Sequence, residues 1–167
     1  PKADFDADPT MGRGTPDLVD HVAIKHKSGG LSNLQFKSFE QGRPKWQGET
    51  LHLVWFDEEP PEDIYSEGLT RTNQTGGIAY ITATPLLGMT NVVSYFYPES
   101  NTEDRSLTQM TIEDCGLYTE EEITRVVTAY LPHEREARAK GIPMLGSGRI
   151  FPVPEEMIRC DSFEIPK

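Results

Sequence analysis

The sequence is poor in cysteine, in long apolar runs and in positive charge, and each shortage removes a class of protein. Its two cysteines, Cys115 and Cys160, stand far apart and form no C-x-x-C pair. Neither a disulfide scaffold nor a thiolate zinc site is expected, and a reducing, intracellular setting fits best. No stretch approaches the roughly 18 consecutive apolar residues of a membrane span. The first residues carry Asp4, Asp6 and Asp8, where a secretory signal has basic and then apolar residues, so a soluble protein with no membrane partner is expected. Sixteen Lys and Arg against 27 Asp and Glu give a formal charge of −11. Binding to phosphates requires clustered cations, so nucleic-acid contact over the whole surface is excluded and any such contact is local. One basic cluster exists: Lys25, His26, Lys27 and Lys37.

What is present reads as an α/β chain. Its 167 residues, 36% hydrophobic, suffice for one compact domain with a single core. Residues Pro1 to Asp20 are rich in Pro, Gly and Asp, show no periodicity and read as a loop or a cut end. The spacing of Asp4, Asp6 and Asp8 is that of a calcium loop, but no glycine or glutamate follows in register, so they read as a solvated tail. From His21 to Phe39 the pattern alternates through Val22, Ile24 and His26, turns at Ser28-Gly29-Gly30, and returns through Leu34, Phe36 and Ser38. This predicts a β-hairpin.

The run Leu51 to Phe56 is apolar on both faces and stops at Asp57-Glu58-Glu59-Pro60-Pro61, which predicts a buried parallel strand and then a helix that proline can start. Ile64, Gly68 and Leu69 carry that helix to about Thr72. Gly76-Gly77 then leads into a second apolar strand, Ile78 to Thr82, and the three elements make a βαβ unit. Leu107 to Ile112 predicts a further strand. Thr119 with Glu122 forms a capping box that opens an amphipathic helix to Tyr130, whose apolar stripe reads as core packing. A charged helix from His133 to Lys140 stops at Gly141, and Ile142 to Lys167, with four prolines, reads as a linker. The predicted organisation is 1–20 loop, 21–141 folded part and 142–167 linker.

Chemistry concentrates where the first strand ends. The carboxyl edge of a parallel sheet is where α/β folds bind ligands, and Asp57 and Glu58 stand there. In nucleotide hydrolases an aspartate so placed holds magnesium on the phosphates, and in one branch the next glutamate orients and deprotonates the attacking water. Thr82 and Thr84, at the end of the neighbouring strand, place two hydroxyls where a γ-phosphate or that water would sit. The competing reading is a solvated acidic turn, which Glu59, Glu62 and Asp63 also fit, with threonines capping local backbone groups.

Several segments resemble the ATPase domain of tailed-bacteriophage terminase large subunits. They are Gly42 to Thr50 running into Leu51 to Pro61, Gly68-Leu69-Thr70-Arg71-Thr72, Thr82-Ala83-Thr84-Pro85-Leu86-Leu87-Gly88-Met89, and Leu131 to Arg138 with Gly146 to Pro152. The likeness covers about His21 to Pro154. It implies an additional-strand, catalytic-glutamate P-loop NTPase-type fold, here an incomplete parallel sheet with an added β-hairpin and flanking helices. It also implies an ATP- and Mg2+-dependent motor that assembles as a homo-oligomeric ring in the host cytoplasm. That motor acts transiently at the procapsid portal vertex, with portal protein and small terminase subunit as partners, and drives double-stranded DNA into the capsid. By the resemblance Asp57 is the magnesium aspartate, Glu58 the catalytic glutamate, and Thr82 to Thr84 the coupling element. Arg43 and Arg71, then Lys45, are the candidates for an arginine finger, with solvated surface charge as the alternative for each.

The sequence departs from the family in having no G-x-x-x-x-G-K-[ST] phosphate loop; Gly141 to Ser147 has the glycine spacing without the lysine. In the family that loop lies upstream and a nuclease downstream, so the chain reads as trimmed at both ends and, alone, as inactive toward ATP. Lys25, Lys27 and Lys37 on the hairpin are candidate contacts for DNA backbone or an acidic neighbouring subunit. A non-catalytic module serving ring assembly or small-subunit binding is the rival function. A helicase segment, the third possibility, lacks nucleic-acid motifs after Thr84-Pro85.

Overall fold

A computed structural model describes residues 4–12, 17–97 and 103–143. The chain divides into two compact units, Pro1–Thr50 and Leu51–Lys167, each with its own sheet.

The first unit is an antiparallel sheet of β1 (Thr10–Met11), β2 (Val19–Lys25) and β3 (Leu31–Gln35), in that order. The β2–β3 register runs from His21 opposite Gln35 to Lys25 opposite Leu31, so the hairpin stands where alternation predicts it. Its turn requires Gly29, at φ 90°, a region open to glycine at no steric cost. The region before Asp20, predicted without structure, contributes β1, the start of β2 and a bridge from Phe5 to Ile24. Ladder bonds join backbone groups, so a segment with no side-chain periodicity can still pair. Beyond β3, two 3-10 turns at Phe39–Gln41 and Arg43–Trp46 stack Phe39 on buried Trp46, with ring centroids 6.3 Å apart.

The second unit holds the predicted βαβ arrangement: β4 (Leu53–Asp57), α1 (Glu62–Thr72) and β5 (Ile78–Thr82). The two strands are parallel and in register from Leu53 opposite Ile78 to Asp57 opposite Thr82. Val54 and Phe56 point into the core with Ile64 and Tyr65 of α1, and the Phe56 and Tyr65 rings lie 6.0 Å apart. Glycine at position 68 permits this approach, because a Cβ there would stand 2.5 Å from Phe56 Cζ. Gly77 likewise lets the chain pass the His52 carbonyl, which a Cβ would strike.

The opposite face of the sheet corrects the prediction of a strand buried on both sides. Leu53, Trp55, Ile78 and Tyr80 are exposed, since α1 packs on one face only.

Past β5 come α2 (Asn91–Ser94), α3 (Glu120–Ala129) and α4 (Arg135–Lys140). The capping box of α3 is formed by Thr119 and Glu122 as predicted. Its stripe of Ile123, Val126 and Val127 is half-buried, and no α3 residue is fully buried. No strand forms at Leu107–Ile112. Instead the Ile112 amide donates to the Ala139 carbonyl at 2.9 Å and the Gln109 side chain to that of Lys140 at 2.8 Å. The segment caps carbonyls that the end of α4 leaves unpaired, which competes with strand pairing. Helix α4 starts two residues later than predicted and stops at Gly141, whose φ is 64°. Apart from Ile142 and Pro143, the predicted linker lies outside the described residues. No described helix is long and apolar enough to cross a membrane.

Candidate functional site

Two strands finish side by side. The parallel register sets Asp57 directly opposite Thr82, and the Thr82 hydroxyl donates to Asp57 Oδ1 at 3.1 Å while accepting the Trp55 indole N–H at 2.8 Å. The hydroxyl's one proton is thereby directed at the carboxylate, and the indole fixes its orientation. One residue later the Glu58 amide donates to the Thr82 carbonyl at 2.8 Å, which extends the ladder past the strand end. Glu58 has φ 72°, left-handed backbone that is costly for a residue with a Cβ. Both acidic side chains are exposed at the carboxyl edge of the sheet.

Thr84 follows two residues after β5, in a succession of tight turns: Leu86 N–H to Thr84 O at 2.7 Å, Gly88 to Pro85 O at 3.3 Å, Thr90 to Gly88 O at 3.0 Å. Asp57, Glu58 and Thr82 are thus brought together, with Thr84 on the loop that leaves them. Arg71 is not. Its carbonyl accepts the Leu51 amide at 2.9 Å, just before the start of β4, and the whole strand from Leu53 to Asp57, rising ~3.3 Å per residue, lies between that point and the carboxylate. Its guanidinium pairs with Glu67, buried at 3% exposure, at 3.0 Å. Arg43 and Lys45 lie in the 3-10 turn of the first unit.

The basic cluster divides. Lys25 ends β2, whereas Lys27 lies in the turn, so strand alternation does not relate them. Both are exposed. Lys37 is already engaged, donating to Glu49 Oε2 at 2.8 Å and to the Lys45 carbonyl at 2.9 Å.

Magnesium bound with nucleotides keeps several waters and takes one or two carboxylates besides the phosphates. A single exposed aspartate, its second oxygen clear of the Thr82 bond, fits such an ion. A dedicated protein cage is not what stands here: among the described residues no cluster of three His, Cys, Asp or Glu is placed to hold a metal.

Two features escaped sequence reasoning. Glu59, assigned to the solvated turn, is half-buried, and its Oε1 accepts the hydroxyl of Thr90. Arg138 of α4 has its pKa raised chiefly by the hydrogen bond to Glu134, at 2.7 Å, with the Glu58 charge among the weaker contributors. The i, i+4 spacing of Glu134 and Arg138 was visible; the proximity of either feature to the Asp-Glu turn depends on tertiary placement.

The chain is 50% identical over 156 residues to a terminase large subunit of Salmonella phage P22, an alignment covering 90% of this chain and 31% of that protein. It is 44% identical over 119 residues to a terminase large subunit of Enterobacteria phage LP7, covering 71% of this chain and 25% of that protein. The chain therefore spans about a third or less of the curated relatives it matches. No solved structure matches it. The family "Terminase large subunit, T4likevirus-type, N-terminal" matches residues 3–158. With nearly the whole length matched, and an Asp-Glu pair closing one strand against a threonine closing its parallel neighbour, the chain belongs to the N-terminal terminase large subunit family.

Proposed function

We propose that this chain supplies the Asp-Glu part of an ATP-hydrolysing motor that packages double-stranded viral DNA into a capsid. The observation that carries the reading is the in-register pairing of Asp57 with Thr82 and the hydroxyl–carboxylate bond between them.

In this reading Asp57 binds the Mg2+ of Mg·ATP, and Thr82 holds the aspartate in the orientation that leaves one oxygen for the ion. When bound, the ion neutralises charge on the phosphates. Glu58, projected from its left-handed turn, orients the attacking water and takes its proton. Thr84 and the loop after it respond to the γ-phosphate. The P-loop NTPase architecture, and a phosphate-binding loop supplied by chain upstream of this segment, belong to the proposal. So do the oligomeric ring, the portal protein and small terminase subunit as partners, and residence in the host cytoplasm and at the portal vertex. Arg71, in the last turn of α1 and at the far end of β4 from Asp57, would serve as an arginine finger only toward a neighbouring subunit, and Arg43 is the other candidate. Lys25 and Lys27 are proposed for local DNA backbone contact, with Lys37 bracing the loop through Glu49.

Replacing Glu58 by Gln in the full-length protein tests the reading. The expected result is loss of about 100-fold or more in ATP turnover with nucleotide binding retained. The 167-residue chain alone is expected to hydrolyse ATP at background. Robust turnover by the isolated chain that Glu58→Gln abolishes would overturn the assignment of the phosphate loop, and wild-type turnover by full-length Glu58→Gln would overturn the catalytic role.

The exposed apolar face of Leu53, Trp55, Ile78 and Tyr80 is the observation favouring the second reading, an interaction module for ring assembly or small-subunit binding. Unchanged assembly after Trp55 and Tyr80 are both made polar would remove it.

A further inference from the structure

We propose that Glu59 and Thr90 are a positioning pair that holds the turn carrying Glu58; this rests on the proposed role of Glu58. A left-handed conformation at a non-glycine residue persists only where its surroundings over-determine it. On the upstream side that is done by Asp57 in the ladder and by the Glu58 amide on Thr82. On the downstream side Glu59 Oε1 accepts the Thr90 hydroxyl. That same hydroxyl oxygen accepts the Val93 amide at 3.2 Å, as the N-cap of α2.

Pro60 and Pro61 then fix the chain between Glu59 and α1, since proline locks φ. At the start of α1, Glu62 accepts Asn91 Nδ2 at 2.8 Å and the Tyr95 hydroxyl at 3.1 Å. The loop 83–89 is thus tied at both ends to the residues flanking Glu58: to Asp57 through Thr82, and to Glu59 through Thr90.

The second carboxylate oxygen of Glu59 adds an independent observation. It is shut away from solvent and has no hydrogen-bond partner among the described residues. An acid whose only use was solubility would not leave an oxygen desolvated and unpaired. Glu59 instead presents one oxygen to Thr90 and accepts the cost of the other.

Steady-state ATPase kinetics of the full-length protein test this, with Glu58→Gln alongside and thermal melting to establish folding. Thr90→Val removes the hydroxyl with little change of shape, and Glu59→Ala removes the acceptor while leaving the Thr90 cap. Each is expected to lower kcat about 10-fold or more with KM for ATP within about twofold. The double variant is expected to be no worse than either single one, and Thr90→Ser to recover kcat to within about twofold of wild type. Glu59→Gln, which keeps the acceptor and removes the charge, is expected to stay within about threefold.

Wild-type kcat in folded Thr90→Val or Glu59→Ala, failure of Thr90→Ser to recover activity, or a Glu59→Gln defect as deep as that of Glu58→Gln would each overturn the proposal. If one single variant does not fold, the other decides with Thr90→Ser. Full turnover in Glu58→Gln would instead sink the proposed function itself, and with it the basis for this pair.

Discussion

Gly68→Ala is expected to destabilise the protein, although alanine is the better helix former. In the interior of a helix such as α1 the exchange is worth up to ~1 kcal/mol in alanine's favour, and less freedom in the unfolded chain adds to that. Against it stands the packing. The new Cβ would lie 2.5 Å from Phe56 Cζ, 3.3 Å from its Cε2 and 3.4 Å from Val54 Cγ1. Phe56 is 0% exposed and packs against Tyr65 with the two rings tilted by 52°, so the ring cannot yield the ~1 Å needed to restore ordinary contact without moving β4 or α1.

A Cβ this close to a fully buried ring belongs in the upper part of the overpacking range, about 2–3 kcal/mol, which leaves a net loss of about 1–2 kcal/mol after a propensity gain of up to ~1 kcal/mol. At ~2–4 °C per kcal/mol for a chain of this size, the melting midpoint should fall by about 2–8 °C. Urea unfolding and thermal melting both read it. Phe56→Leu supplies the internal control: if the ring is the obstacle, the double variant loses less than the sum of the two singles by about 1 kcal/mol. An equal or higher midpoint for Gly68→Ala, or strict additivity with Phe56→Leu, refutes the reasoning. The strand that would have to shift is the one that ends in Asp57.

Three further outcomes follow from the same structure. Glu58→Gly relieves the left-handed backbone and should raise stability by about 0.5–1 kcal/mol while ATP turnover of the full-length protein is lost; a stability gain absent from denaturant titration means the turn is not strained. Arg71→Ala removes the ion pair from the buried Glu67 carboxylate and should cost about 1–3 kcal/mol, discounted because Arg71 is part-exposed, so its motor defect should be matched by a fall in melting midpoint; normal stability with lost activity would instead support Arg71 as an arginine finger. Glu122 has its pKa lowered first by the Thr119 backbone amide and then by the Thr119 hydroxyl. A lowered folded-state value stabilises above the unfolded pKa and is lost as pH falls through the folded one, so the stability gap between wild type and Thr119→Ala should be widest near neutrality and shrink below the usual carboxylate range. A gap that grows on acidification contradicts this.

The elements legible in the sequence were those whose own residues carry the signal. The β2–β3 hairpin announced itself by alternation around Ser28-Gly29-Gly30, α3 by the Thr119–Glu122 box, and the β4–α1–β5 unit by two apolar runs separated by Pro60-Pro61 and Gly76-Gly77. The juxtaposition of Asp57 and Thr82 followed from strand parity and a parallel pairing. What stayed hidden depended on partners distant in sequence. The run Leu51 to Phe56 carries no mark saying that only one of its apolar faces meets a helix. Leu107 to Ile112 looked like a strand because nothing local shows the carbonyls of α4 competing for its donors. Glu59 was indistinguishable from its acidic neighbours until Thr90, 31 residues away, was seen to donate to it.

Trp55 gives the protein a built-in optical reporter. Its indole is one hydrogen bond from the Thr82 hydroxyl and two from the Asp57 carboxylate, so a ligand that recruits the carboxylate alters the polarity and the bonding felt by the ring. With two tryptophans in the chain, exchanging Trp46 for phenylalanine leaves Trp55 as the single tryptophan, and emission excited beyond the tyrosine band would then report a ligand at the strand ends without any attached dye.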